Sequence, residues 1–143
     1  MLDAYRDLID ELLETPTAIR DALANHQKEA SADQIAMQIA LIRDHDLRTL
    51  ELARTIMQRQ DALIDDSVPL VTESGQALEQ VLGEMDVARG DLVSLLINLS
   101  LKDWERTAIL KSGGEITIGD MIEDHVEFDE AARARLRDIV RAE

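Results

Sequence analysis

The chain has no cysteine. That one absence excludes disulfides, thiolate zinc sites, iron–sulfur clusters and a cysteine nucleophile together. Aromatic residues are almost missing too. Tyr5, Trp104 and Phe128 are the full set, so there is no platform for stacking nucleic-acid bases and a core has to be built from Leu, Ile, Val, Ala and Met. Positive charge is the third shortage. Fifteen Lys and Arg face 30 Asp and Glu, a formal net charge of -15. A field of that sign repels the phosphate backbone whose neutralisation supplies most non-specific nucleic-acid affinity, and its plain meaning is a solvated, self-repelling surface. No apolar run approaches the ~20 residues of a membrane span. The opening Met1-Leu2-Asp3-Ala4-Tyr5-Arg6-Asp7 has acids where a secretion signal carries bases. A cytoplasmic protein with no nucleic-acid and no membrane partner is expected. There is also no GxSxG elbow, no phosphate-cradling glycine loop with its lysine, and no dinucleotide-binding glycine set after a strand.

What is present is helical periodicity. With 143 residues, 45% of them hydrophobic, the chain fits one domain that can bury a core without staples. Leu2, Tyr5, Leu8, Ile9, Leu12 and Leu13 form a first stripe at helical spacing. Thr15-Pro16 then predicts a kink or restart, because proline suits the first turn of a helix and not its interior. The stripe resumes at Ile19, Ala22 and Leu23 and is lost at Asn25-His26-Gln27-Lys28, which puts His26 in a solvent-facing loop. Ser31-Ala32-Asp33-Gln34 has the capping-box pattern and opens a second helix through Ile35, Ile39, Ile42, Asp46, Thr49, Leu50, Ala53 and Ile56. Asp65, Asp66, Ser67 and Pro69 mark the longest connection, long enough for a crossover.

A third helix is expected to start between Thr72 and Gln76 and to carry Leu78, Val81, Met85, Ala88, Leu92, Leu96 and Leu99 on one face. Gly83 and Gly90 lie inside it, either for close backbone packing or as plain weak points. Gly113-Gly114 reads as a hairpin turn, and Thr117-Ile118-Gly119-Asp120 opens a fourth helix whose stripe is Ile118, Met121, His125, Phe128, Ala132, Leu136 and Ile139. No stretch alternates long enough to suggest a strand. The fold class is therefore all-α, a four-helix bundle forming a single domain over residues 1–143.

Polar residues that interrupt these stripes are the candidate site. His125 lies within the apolar stripe of the fourth helix, where a polar group needs a partner, and Asp129 is one turn on. Imidazole and carboxylate at i and i+4 converge on one point, a spacing suited both to a hydrogen bond within the helix and to divalent-metal ligation in a bundle core. His45 and Asp46 stand at the edge of the second helix's stripe, so His45, His125 and Asp129 could form a three-ligand site able to activate water. Arg89 could bind a ligand carboxylate or pair with one of the many acids. Trp104 is expected to plug one end of the bundle.

Arg89 followed by the leucine-rich Leu92 to Leu99, then Asp103-Trp104-Glu105-Arg106-Thr107, then Gly114-Glu115-Ile116-Thr117-Ile118 opening the last helix, come in a telling order. Ser31 to Ile39, Thr15-Pro16 and the Pro69 loop add to it. In this order the chain resembles the DinB superfamily, which takes in YfiT-like metal-dependent enzymes and the mycothiol-dependent maleylpyruvate isomerases. The resemblance implies an up-down-down-up four-helix bundle, commonly a homodimer, with a three-histidine metal site drawn from the second and fourth helices. At the matching positions this chain has Gln38, Phe128 and Ala132, while Asp129 is kept. A phenyl ring and a methyl group cannot bind a cation, and one amide is too weak to hold a divalent ion alone, so the usual site is expected to have become packing. The function expected is that of a DinB-like protein without a metal cofactor, binding a small molecule or a protein, or acting as a diverged enzyme. The alternatives are a hydrolase or thiol transferase holding zinc, nickel or manganese at His45, His125 and Asp129, and a structural or dimerising domain.

Overall fold

The structure is a computed structural model that describes residues 2–24 and 31–142. His26 and the end of the first stripe at Asn25 lie outside the described residues. Four long helices dominate: α1 (Asp3–Leu23), α2 (Ala32–Gln58), α3 (Leu78–Ile97) and, after a one-turn helix α4 (Leu101–Trp104), α5 (Ile118–Arg141). No helix among the described residues is long and apolar enough to cross a membrane.

Helix direction follows from which halves of the helices share a core. One buried apolar cluster takes Ile9 and Leu12 from α1, Leu50 and Ile56 from α2, Leu92 and Leu96 from α3, and Ile118 and Ile122 from α5. The other takes Ile19 from α1, Ile35 and Ile39 from α2, Val81 and Met85 from α3, and Ala132 and Leu136 from α5. The first cluster thus joins the early halves of α1 and α5 to the late halves of α2 and α3. So α1 and α5 run one way and α2 and α3 the other, an up-down-down-up bundle. Two parallel helices in succession require a return along the bundle, which residues 59–77 provide.

The structure adds something that periodicity missed. Strands β1 (Ala62–Ile64), β2 (Thr107–Leu110) and β3 (Glu115–Thr117) form a three-stranded sheet, β1 parallel to β2 and β2 antiparallel to β3. Gly113 and Gly114, at φ 111° and 86°, make the β2–β3 turn in a backbone region that side chains disfavour. Thr117 and Asp120 then cap α5 reciprocally. Trp104 is fully buried and stacks on Tyr5, with ring centroids 4.5 Å apart, closing the sheet end of the core.

Two local expectations need correction, and an open alternative is decided. Helix α1 runs unbroken through Pro16. Helix α3 begins at Leu78, later than Thr72 to Gln76. Gly83 and Gly90 are exposed, and a Cβ added at either would meet nothing within 4 Å, so neither serves close packing.

Candidate functional site

Between the two apolar clusters lies a layer of buried polar side chains, one or more from each long helix: Thr15 of α1, Asp46 and Thr49 of α2, Arg89 of α3, His125 and Asp129 of α5. Arg89 and Asp129 are 2% exposed, and Asp46 and His125 not at all. Charges so buried persist only when paired and fully hydrogen-bonded.

Arg89 meets that requirement completely. Its Nε donates to Asp46 Oδ1 at 3.0 Å, Nη1 to Asp129 Oδ2 at 2.6 Å and to the Leu12 carbonyl at 2.7 Å, and Nη2 to Asp129 Oδ1 at 2.8 Å. Nη2 also lies 2.8 Å from Asp46 Oδ1, so each of the three nitrogens is engaged. Burial works against the charge, but the hydrogen bond to Asp129 and the charges of Asp46 and Asp129 outweigh it and raise the arginine pKa. The Leu12 carbonyl is available because residue 16 is proline: with no N–H at Pro16, the acceptor four residues earlier loses its helical donor. Thr15 completes the arrangement by donating from Oγ1 to Asp129 Oδ2 at 2.9 Å. The Thr15-Pro16 pair, expected to kink or restart a helix, does not restart it and supplies the arginine with an acceptor and the aspartate with a donor.

His125 is held across the bundle and not along its own helix. Its Nε2 lies 2.7 Å from Asp46 Oδ1 and 3.9 Å from Asp129 Oδ1, while its Nδ1 lies 2.7 Å from Thr49 Oγ1. The hydrogen bond expected within α5 is not made, because Asp129 is committed to Arg89 and Thr15. An ionised Asp46 can only accept, which assigns the proton to Nε2 and lets Nδ1 accept from the Thr49 hydroxyl. His45 stands beside this layer. Its ring stacks on His125 at 4.2 Å and on Phe128 at 3.9 Å, and its Nδ1 is buried without a partner. Burial and the neighbouring His125 lower its pKa from the ordinary histidine value of 6.5 to about 3.

Asp46, His125 and Asp129 each offer a ligand atom within 4.8 Å of the others, close enough to share one ion. This trio has Asp46 where the sequence pattern suggested its neighbour His45. In the arrangement described, both carboxylates accept from Arg89 and both ring nitrogens of His125 are engaged, so an ion would have to displace those bonds. At the other singled-out positions, Gln38 Oε1 accepts from Arg135 Nε at 2.8 Å, Phe128 covers His45, and Ala132 is buried in the second apolar cluster. Trp104 belongs to the first cluster, away from the polar layer. In the sequence Asp46 stood out only as the neighbour of His45, outside the proposed ligand set, and Thr49 only as a stripe position, although both fall on the inward stripe of α2. A cleft between α1 and α5, lined by Glu11, Glu14, Glu130 and Arg133, opens beside Thr15 and Asp129.

The solved structure of YfiT from Bacillus subtilis, described as a probable metal-dependent hydrolase with an unusual four-helix bundle topology, resembles this chain with a TM-score of 0.85. The match covers 99% of this chain and 89% of that one at 12% sequence identity, a likeness of fold. No family model matches the chain, and neither does any curated protein.

Proposed function

We propose that this chain is a DinB-like bundle whose interior cation is the guanidinium of Arg89 in place of a metal, and that it acts as a binding module for a small molecule or a protein, as a homodimer. The observation that carries this reading is the pairing of Arg89 with both carboxylates of the Asp46, His125 and Asp129 group. A divalent ion placed among those ligands and within about 4 Å of the guanidinium would be repelled by roughly 8 kcal/mol at an effective dielectric of ~20. Desolvating such an ion adds to that cost, and His125 would have to give up its bond to Asp46 or Thr49. Gln38, Phe128 and Ala132 offer one amide oxygen between them, already bonded to Arg135.

A second reading is a metal-dependent hydrolase or thiol transferase that uses the Asp46, His125 and Asp129 group, with His45 beside it. The fold likeness to YfiT favours it. The two readings part on metal content. Protein purified without a histidine tag and desalted is expected to contain zinc, nickel and manganese well below one equivalent, with a melting temperature unmoved by chelator. Stoichiometric metal that disappears in Asp46→Asn would overturn the metal-free reading in favour of the hydrolase.

A further inference from the structure

The opposite chemistry gathers at the sheet end of the molecule. Where α2 ends and β2 begins, a cleft of about 540 Å³ is walled by Arg59, Asp61, Lys102, Glu105, Arg106 and Thr107. Bases outnumber acids there. In the other four clefts described, acids outnumber bases, as a chain with 30 acidic and 15 basic residues would lead one to expect. The walls are fixed by backbone pairing. Ala62 of β1 is in register with Ala108 of β2, so residues 59–61, just before β1, and residues 105–107, which lead into and open β2, run side by side. Asp61 makes the turn out of α2 at a positive φ of 52°, a conformation that aspartate tolerates better than most side chains.

Hydrogen bonds with Ser100 lower the pKa of the neighbouring Asp103, and Arg106 and Lys102 lend charge to the same effect, but the basic groups make few direct bonds among the described residues. Arg106 donates through Nε to the carbonyl of Ile56 at 3.2 Å. That bond orients the guanidinium plane and covers a carbonyl at the end of α2, whose dipole would oppose an anion. It leaves the four Nη protons without a described partner. Arg59 and Lys102, both exposed, make no ion pair or side-chain hydrogen bond among the described residues. Two guanidinium forks and one ammonium around a polar cleft match the planar or tetrahedral oxygens of a carboxylate or a phosphate. We infer that this cleft binds a small organic anion through its carboxylate or phosphate group, with Arg106 as the oriented anchor and Arg59 and Lys102 as the flanking charges. None of the polar-layer residues lines the cleft, so the site stands whether or not the interior holds a metal.

The lone tryptophan, Trp104, sits in sequence between Lys102 and Arg106 and gives an intrinsic optical readout. Titrations with inorganic phosphate and with succinate, at ionic strength held constant with sodium chloride, should give a saturable change in Trp104 emission and a rise in melting temperature for at least one probe. Saturation by phosphate alone assigns a phosphorylated ligand, and saturation by succinate alone assigns a carboxylate. Arg59→Gln combined with Lys102→Gln should weaken binding roughly tenfold or more, Arg106→Gln should do likewise, and Lys111→Gln, outside the cleft, should leave it unchanged. Arg106→Gln also removes the bond to Ile56, so the exposed pair Arg59 and Lys102 carries the test if that variant folds poorly. Saturation by neither probe, or binding that survives the Arg59 and Lys102 substitutions, overturns the assignment.

Discussion

Arg89 is the residue on which the interior turns, and its removal can be reasoned through in both directions. Arg89→Ser leaves Asp46 and Asp129 buried as uncompensated carboxylates, which costs about 3–5 kcal/mol by analogy with other broken buried pairs. The same substitution strips away the positive charge that keeps a divalent ion from the Asp46, His125 and Asp129 group. Urea unfolding at neutral pH should therefore show a large loss, and added zinc should raise the melting temperature of the variant while leaving the wild type unmoved. Equal stability with and without Arg89, or zinc stabilising both proteins alike, would show that the guanidinium does not hold the cation's place. At this scale the sequence made the inward positions legible, since Arg89, His125 and Asp129 all fall on or beside apolar stripes. Partner choice was hidden. Periodicity says which residues face inward but not which residues of different helices share a level, so the bond from His125 to Asp46 and the recruitment of the Leu12 carbonyl by Arg89 appear only once axial register is known.

Among elements, α3 makes the clearest prediction because its two interior glycines have no packing duty. Both are exposed in helical backbone with open space where a Cβ would go, so the only effects of alanine are better helix propensity and a less flexible unfolded chain. Gly83→Ala and Gly90→Ala should each stabilise the protein by up to about 1 kcal/mol in urea unfolding, roughly additively because the sites are two turns apart. Destabilisation by either would mean that the α3 face is covered, for instance by the second copy of a homodimer. The long helices were legible in the sequence because each repeats its apolar stripe over several turns. The strands were not: Ala62 to Ile64 and Glu115 to Thr117 are three residues each, too short to establish a period of two. Pro16 misled for a physical reason. A proline inside a helix is costly when the carbonyl four residues before it goes unsatisfied, and here a side chain from another helix satisfies it.

For the whole molecule, acid should reveal the difference between the surface and the core. The surface carries the excess acids, and their mutual repulsion in the folded chain relaxes only as carboxylates begin to take up protons, below about pH 5. His45 acts earlier and with the opposite sign. Its folded pKa is depressed to about 3 by burial and by His125, Arg48 and Arg89, against an opposing pull from Asp129. The unfolded chain therefore takes up a proton near pH 6.5 that the folded chain refuses, and stability falls as pH falls from about 6.5 towards 3. Above pH 7 the contribution vanishes, because neither state holds the proton. The diagnostic window is pH 7 to 5, where few carboxylates titrate and one such histidine removes roughly 2 kcal/mol. His45→Phe keeps an aromatic ring between His125 and Phe128 but cannot titrate, so subtracting its pH profile from that of the wild type isolates this one proton from the other two histidines and from the carboxylates. Urea unfolding of both proteins at closely spaced pH values should give a difference that is flat above pH 7 and grows steadily on going down to pH 5. A difference that stays flat throughout that window would mean that His45 accepts its proton in the folded bundle, and that the layer beside it is wetter than its burial implies.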